Sequence, residues 1–265
     1  MFCTCCAPLS RRHMLGLASV AAMGTLSGCE SYNRFAASAV SPEEEAQLGA
    51  SAFQTIKSET PPLQSGTAQE RVRDIAARIV PASGSDIPFS EWEVVVFDSD
   101  EINAFALPGG KIGVYRGILN VAENDSQLAT VMGHEVGHVN ARHAAQRMGT
   151  TRLSQYGQLA AGFGAQIAGI SPELAAAASG ALIQYGVILP YSRGQELEAD
   201  SLGLTYMAKA GYDPSESVDF WQNMNRAGGG GTPTFLSTHP SGEDRIARLQ
   251  EQLPEAEAIY RQAAS

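Results

Sequence analysis

The spacing of apolar residues changes along the chain, and each change predicts a different element. Between residues 68 and 80, Val72, Ile75, Ala76 and Ile79 fall three and four apart on one face, which predicts a helix. An earlier helix is announced by its start: Ser41-Pro42-Glu43-Glu44 supplies an N-cap, a proline at the first helical position and an acid three after the cap. It should run to about Lys57, because Thr60-Pro61-Pro62 breaks the pattern. Both helices are expected to pack behind a third, in which Leu128, Val131, Met132, Glu135 and Val139 recur at helical steps; Asp125-Ser126 caps it and it should continue to about Met148.

Between these helices the pattern turns to strands. Trp92-Glu93-Val94-Val95-Val96-Phe97 is rich in β-branched and aromatic residues, and Asn103-Ala104-Phe105-Ala106-Leu107 and Lys111-Ile112-Gly113-Val114-Tyr115 flank the turn sequence Pro108-Gly109-Gly110. A sheet of about three strands should therefore precede the third helix, and an edge strand holding Asn103, Ala104 and Phe105 could pair with an extended peptide. Residues 153–189 carry no charge except Glu173, are crowded with Ala and Gly, and contain Pro172. They read as helices inside the domain that could cover and uncover a cleft, with a membrane hairpin as the alternative. A further helix opens near Pro190 and runs to about Ala210. The fold class expected is α+β, mainly α-helical.

Polar residues inside the third helix bring in chemistry. In His134-Glu135-Val136-Gly137-His138 the histidines are four residues apart, about one turn, so both imidazoles leave one face and can bind one divalent ion. Zn²⁺ accepts such nitrogens, keeps an open position and lowers the pKa of water there to about 7. Glu135, beside the ion but not bound to it, is the candidate general base. The bland reading, two satisfied histidines on an amphipathic helix, competes with a motif expected by chance roughly once in a hundred such chains. His143, five residues past His138, lies about 140° further round, so it is read as a histidine on the surface or behind a ligand.

A third ligand should come from the helix after Pro190. Glu196 and Asp200 are one turn apart on a shared face, whereas Glu198 points about 200° away from Glu196. Glu196 can complete His/His/Glu ligation of one Zn²⁺, and Asp200 can accept a hydrogen bond from a ligand histidine's other nitrogen. The alternative is that these acids solvate a surface helix, but Leu202, Leu204 and Met207 make that helix apolar.

Composition narrows the setting. The 265 residues, 44% apolar, suit one globular domain with extras, and a formal charge of −10 without a basic cluster in the body argues against nucleic acid. Cys3, Cys5, Cys6 and Cys29 are all near the start, so neither a disulfide framework nor a cysteine zinc site is available to the body. Arg11-Arg12, the apolar run from Met14 to Leu26 and Leu26-Ser27-Gly28-Cys29 form the parts of an export signal. The last four resemble a bacterial lipoprotein box. That resemblance implies a signal peptide over 1–28 and a lipid on Cys29; the small, polar residues that follow read as a tether over 29–40, ahead of a domain over 41–265 that carries the zinc motif. Glu30 after the cysteine points to the outer membrane ahead of the inner one, and the paired arginines resemble a twin-arginine signal, although Met14 stands where that pattern prefers Phe.

Asn103 to Gly110, His134 to His138, Ser192-Arg193 with Glu196 and Asp200, Ala210-Gly211-Tyr212-Asp213-Pro214 and Thr238-His239-Pro240 together resemble peptidase family M48, over about residues 41–250 and in the right order. The match is closest to its periplasmic branch, represented by BepA and LoiP. The resemblance implies a gluzincin-type fold, zinc on His134, His138 and Glu196, catalysis by Glu135, and His239 close to the metal. His239 follows Gly228-Gly229-Gly230-Gly231 and could act as a latch filling the open metal position, or as an oxyanion donor; Arg193 or Arg245 could support either geometry or form surface ion pairs. The expected activity is that of a zinc endopeptidase degrading unfolded or misassembled envelope proteins, with outer-membrane assembly machinery as a further partner. The alternative is a chaperone or assembly factor with latent proteolysis.

Overall fold

A computed structural model describes residues 31–63, 66–167, 191–227, 233–239 and 243–263. Cys29 and the leader lie outside the described residues. Residues 31–38, expected as part of a polar tether, form helix α1, and Ala36, Ala37 and Val40 are buried. Small apolar side chains on one side of this segment give it a face, which packs against Ala145 and Met148.

Helix α2 (Pro42–Glu59) begins at Ser41, whose hydroxyl accepts the amide of Glu44 at 3.2 Å. It covers the sheet rather than the metal-motif helix, a correction to the expected packing. Its inward face is narrow, and its one large buried side chain, Phe53, stands 6.1 Å from the rings of both Phe97 and Phe105. Helix α3 (Thr67–Ala82) does pack behind the motif, with Val72, Ile75, Ala76 and Ile79 buried.

Strands β1 (Glu93–Phe97), β2 (Ala104–Leu107) and β3 (Lys111–Tyr115) form one sheet in the order β1-β3-β2. β2 and β3 are the expected hairpin, and β1 runs parallel to β3. Gly109 and Gly110 close the hairpin at φ 76° and 73°, a region that residues with a Cβ adopt at a cost. The outer side of β1 is partly covered, since Leu63 N–H donates to Val96 and Asp98 N–H to Pro61. The open edge is β2.

A short helix α4 (Arg116–Leu119) leads to α5 (Asp125–Asn140), which carries the metal motif. Its N-cap is Asn124, whose side chain accepts from Gln127 N–H, one residue earlier than expected. The helix does not continue to Met148. It stops at Ala141-Arg142, where Arg142 takes φ 54°, and α6 (His143–Ile167) restarts at His143. Residues 168–190, with most of the stretch expected to cover the cleft, lie outside the described residues. Among the described residues no helix is long and apolar enough to cross a membrane.

Helix α7 (Arg193–Lys209) starts at a capping box between Ser192 and Gln195 and lies along α5. The two approach backbone to backbone: a Cβ at Gly203 would stand 2.7 Å from the amide nitrogen of His134, and one at Gly133 2.8 Å from the carbonyl oxygen of Gly203. Small residues at Gly133 and Gly137 on α5 and at Ala199 and Gly203 on α7 thus set how near the helices come. Helices α8 (Glu216–Ala227), α9 (Thr234–Thr238) and α10 (Glu243–Ala263) close the remaining side, with Trp221, Phe220 and Phe235 fully buried.

Candidate metal centre

The close α5–α7 approach brings the predicted ligands together. His134 Nε2 and His138 Nε2 are 3.0 Å apart, with Glu196 Oε2 3.6 Å from the first and Glu196 Oε1 3.4 Å from the second. All three residues are at most 2% exposed. His239 joins them: its Nδ1 is 3.2 Å from both His134 Nε2 and Glu196 Oε1. The four ligand atoms lie within 4.8 Å of one another.

The surroundings fix what these atoms present. Asp200 Oδ1 stands 2.9 Å from His134 Nδ1, and a carboxylate accepts, so Nδ1 carries the proton and Nε2 faces the cluster with its lone pair. Behind Asp200, Arg245 donates from Nε and Nη2 at 2.6 Å each, places Nη1 2.8 Å from Glu196 Oε2 and stacks 3.9 Å over Trp221. Arg245 is 3% exposed, which removes the surface ion pair as its reading. Burial works against the Asp200 and Glu196 anions. The charges and hydrogen bonds of Arg245 and His134 nevertheless hold Asp200 below the usual carboxylate range, and the Arg245 guanidinium offsets the charge of Glu196. Burial holds His138 well below the ordinary histidine value, the neutral state that a metal needs.

Glu135 points the other way across the cluster. Its Oε2 accepts the Ala106 N–H of β2 at 2.8 Å, while Oε1 is buried, makes no hydrogen bond and faces His239 Nε2 at 3.5 Å. Burial raises its pKa, as suits a group that must take up a proton. On the hairpin Tyr115 N–H donates to Asn103, so by antiparallel alternation Asn103 and Phe105 pair with β3, and Ala104 and Ala106 turn their backbone groups outward. Of the three candidate substrate-strand residues, only Ala104 offers its backbone to the open edge. The Phe105 ring belongs to the aromatic cluster with Phe53, Phe97 and Tyr115.

Arg193 does not join the centre. It is 71% exposed and paired with Asp244. Tyr191, missed by sequence reasoning, and His143, read there as a histidine on the surface or behind a ligand, do join it. Tyr191 stacks on His138 with ring centres 3.8 Å apart, and burial pushes its phenol up to about 12. His143, fully buried, places Nδ1 2.7 Å from His138 Nδ1 and Nε2 3.1 Å from Glu198. The structure places it behind His138, because the chain bend at Arg142 replaces the 140° step expected of an unbroken helix.

The donor set fits zinc. Two imidazole lone pairs and a carboxylate aimed at one point repel one another unless a cation lies between them, and nitrogen with oxygen is a donor set of catalytic zinc sites. A buried carboxylate beside such a set, and outside it, is the arrangement of a metallopeptidase. The chain belongs to peptidase family M48, whose profile matches residues 66–253. It is 39% identical over 189 residues to the mitochondrial metalloendopeptidase OMA1 of Schizosaccharomyces pombe, covering 70% of this chain and 53% of that protein. It is 38% identical over 183 residues to the mitochondrial metalloendopeptidase OMA1 of Arabidopsis thaliana, covering 68% of this chain and 36% of that protein. With the beta-barrel assembly-enhancing protease of Escherichia coli it shares 29% identity over 219 residues, 80% of this chain and 44% of the relative. The chain spans about half the length, or less, of these relatives. Family membership and the buried group of His134, His138, Glu196 and His239 support a zinc metalloprotease.

Proposed function

We propose that this chain is a zinc endopeptidase of the bacterial cell envelope that removes unfolded or misassembled proteins, outer-membrane proteins among them. In this reading His134, His138 and Glu196 hold the ion, and a lipid on Cys29 tethers the chain to the periplasmic face of the outer membrane. The similarity to the Escherichia coli protease supports the envelope setting, and the lipoprotein-like Leu26 to Cys29 supports the anchor.

The observation that carries the reading is the unbonded, buried Oε1 of Glu135, 3.5 Å from His239 Nε2, next to the converging His134, His138 and Glu196. Bound zinc supplies Lewis acidity and a water activated near neutral pH. Glu135 takes the water's proton on Oε1 and delivers it to the leaving amine, while Ala106 N–H keeps its other oxygen in place. An extended substrate lies along the open edge of β2, hydrogen-bonded at Ala104. His239 stands between Glu135 and the ligands, where the reacting water and carbonyl must be, and serves as a latch that withdraws with α9 when substrate or a partner engages.

Metal analysis with casein cleavage, before and after chelation, tests the activity. Proteolysis that survives complete zinc removal would overturn it. The chaperone reading draws on the word "assembly-enhancing" in the name of the Escherichia coli relative and on the closed position of His239. Glu135→Gln separates the two: turnover stops in either case, whereas rescue of outer-membrane protein assembly persists only if chaperoning is the main task.

A further inference from the structure

The two ligand histidines are backed differently. His134 reaches a carboxylate directly, at Asp200. Among the described residues His138 meets no carboxylate on its Nδ1 side; it meets His143 at 2.7 Å, and His143 in turn meets Glu198 Oε2 at 3.1 Å. The direction of this chain is set at its far end. Glu198 can only accept, so His143 carries its proton on Nε2 and presents a bare Nδ1; His138 must then donate from Nδ1 and turn a bare Nε2 toward the cluster. With the opposite polarity, His138 Nε2 would carry a proton and could not bind a metal.

The backbone is bent to make this contact. Arg142, a residue with a Cβ, adopts φ 54°, a left-handed conformation that residues other than glycine adopt at a cost. It is pinned by its own side chain, which donates to Glu45 Oε2 and to the Val40 carbonyl at 2.9 Å each. Had α5 run on unbroken, His143 would project about 140° away from His138. Glu198, which points away from Glu196 on α7, is brought into use by the same bend.

We propose that His143 and Glu198 are a positioning pair that fixes the tautomer and orientation of His138 for zinc, the counterpart of Asp200 behind His134. The proposal rests on His138 being a zinc ligand. α7 would then supply one ligand, Glu196, and the terminal acceptor behind each histidine ligand. Neither His143 nor Glu198 need touch substrate, so both act through metal retention.

Competition for zinc against a chromophoric chelator, near neutral pH and on the full chain, tests it with a readout other than turnover. His143→Leu fills the space without an acceptor and should bind zinc about 10–100-fold more weakly. His143→Asn restores an acceptor where Nδ1 stood and should stay within about threefold of the parent. Glu198→Ala, at a side chain 57% exposed, leaves the fold intact and should weaken zinc several-fold. A purely structural His143 predicts instead that Leu and Asn lower apo-protein melting temperature alike and that neither changes zinc affinity apart from that. Parental affinity in His143→Leu, equal losses in Leu and Asn, or parental affinity in Glu198→Ala would each overturn the pair; the last decides the matter if the position 143 variants fail to fold. His138→Ala is the control. Parental zinc binding there would remove the ligand assignment itself, and the pair with it.

Discussion

Two parts of the molecule bring ligand-type side chains to one point by opposite means. The α5–α7 seam holds His134, His138 and Glu196 by backbone contact at Gly133 and Gly203, and buried ionic and hydrogen-bonded partners on α7 and α10, Asp200 and Arg245, lock them. The α9 segment brings His239 on a five-residue helix. It is fastened by Phe235 N–H donating to Ile102, by Tyr191 N–H donating to Thr238, and by Phe235 stacked between Trp221 and the His239 ring. In the proposed reading, ligands that stay are placed by main chain that cannot separate without unpacking the core, and the latch that leaves is placed by a short element with few attachments.

The largest expected effect tests the seam. Gly203→Leu sets a side chain against the backbone of His134, where no rotamer relieves the contact. Overpacking of this kind should cost about 3 kcal/mol, and it forces α5 from α7. Thermal melting should fall and zinc should no longer be retained at one ion per chain by metal analysis. A variant that keeps full zinc content would show that the ligands do not depend on this approach, and the contrast with α9 would lose its first half.

Next in size is the latch. If His239 closes the site in about nine of ten molecules, His239→Ala should raise casein cleavage about tenfold with zinc content unchanged. An oxyanion donor predicts a fall in kcat instead.

Much of this arrangement was legible before any coordinates. The motif helix, the hairpin at Pro108-Gly109-Gly110, and Glu196 with Asp200 on one face follow from period and turn chemistry, because each is a local property of its segment. The unreadable parts are those where tertiary contact overrides the local signal. Nothing in the composition of Asn140-Ala141-Arg142 stops a helix; the stop depends on Glu45 and Val40 from elsewhere in the chain. Residues 31–38 read as a tether because their apolar face is only alanine, sufficient against Ala145 and Met148 but faint as a pattern. Arg193 and Arg245 read alike in sequence, yet one pairs with Asp244 at the surface and the other is buried against Trp221, since Arg193 sits in the exposed first turn of α7 and Arg245 on α10, which packs against α7.

A smaller effect distinguishes the imidazole from the element that carries it. Phe235→Ala leaves His239 in the chain but removes the ring that seats α9 between Trp221 and His239. The loss falls on the docked state of a short segment rather than on the α5–α7 core, so proteolysis should rise a few-fold while zinc content holds. Unchanged cleavage would mean that backbone bonds alone keep the latch shut, and a fall would favour the oxyanion role.

The smallest effect asks whether the rigid half includes the sheet that offers β2. Glu93 on β1 ties α2 to the sheet through Lys57 at 2.6 Å and reaches Lys111 on β3 at 3.5 Å. Partial burial opposes its charge, but the hydrogen bond and charge of Lys57, with Lys111, hold its pKa below the usual 4.5. A carboxylate whose folded pKa lies below its unfolded one stabilises the protein above about pH 4.5, and loses that contribution as pH falls through the folded value. The side chain is 37% exposed, so solvent screening limits the stabilisation to about 0.5 kcal/mol. Glu93→Gln should therefore lower the denaturation midpoint slightly at neutral pH, and the deficit should shrink in acid. Because the tie lies at the rim and not at Ala104 or Ala106, casein cleavage should not change; a change would mean that the edge strand is held from α2, and the rigid part of the centre would have to be drawn wider.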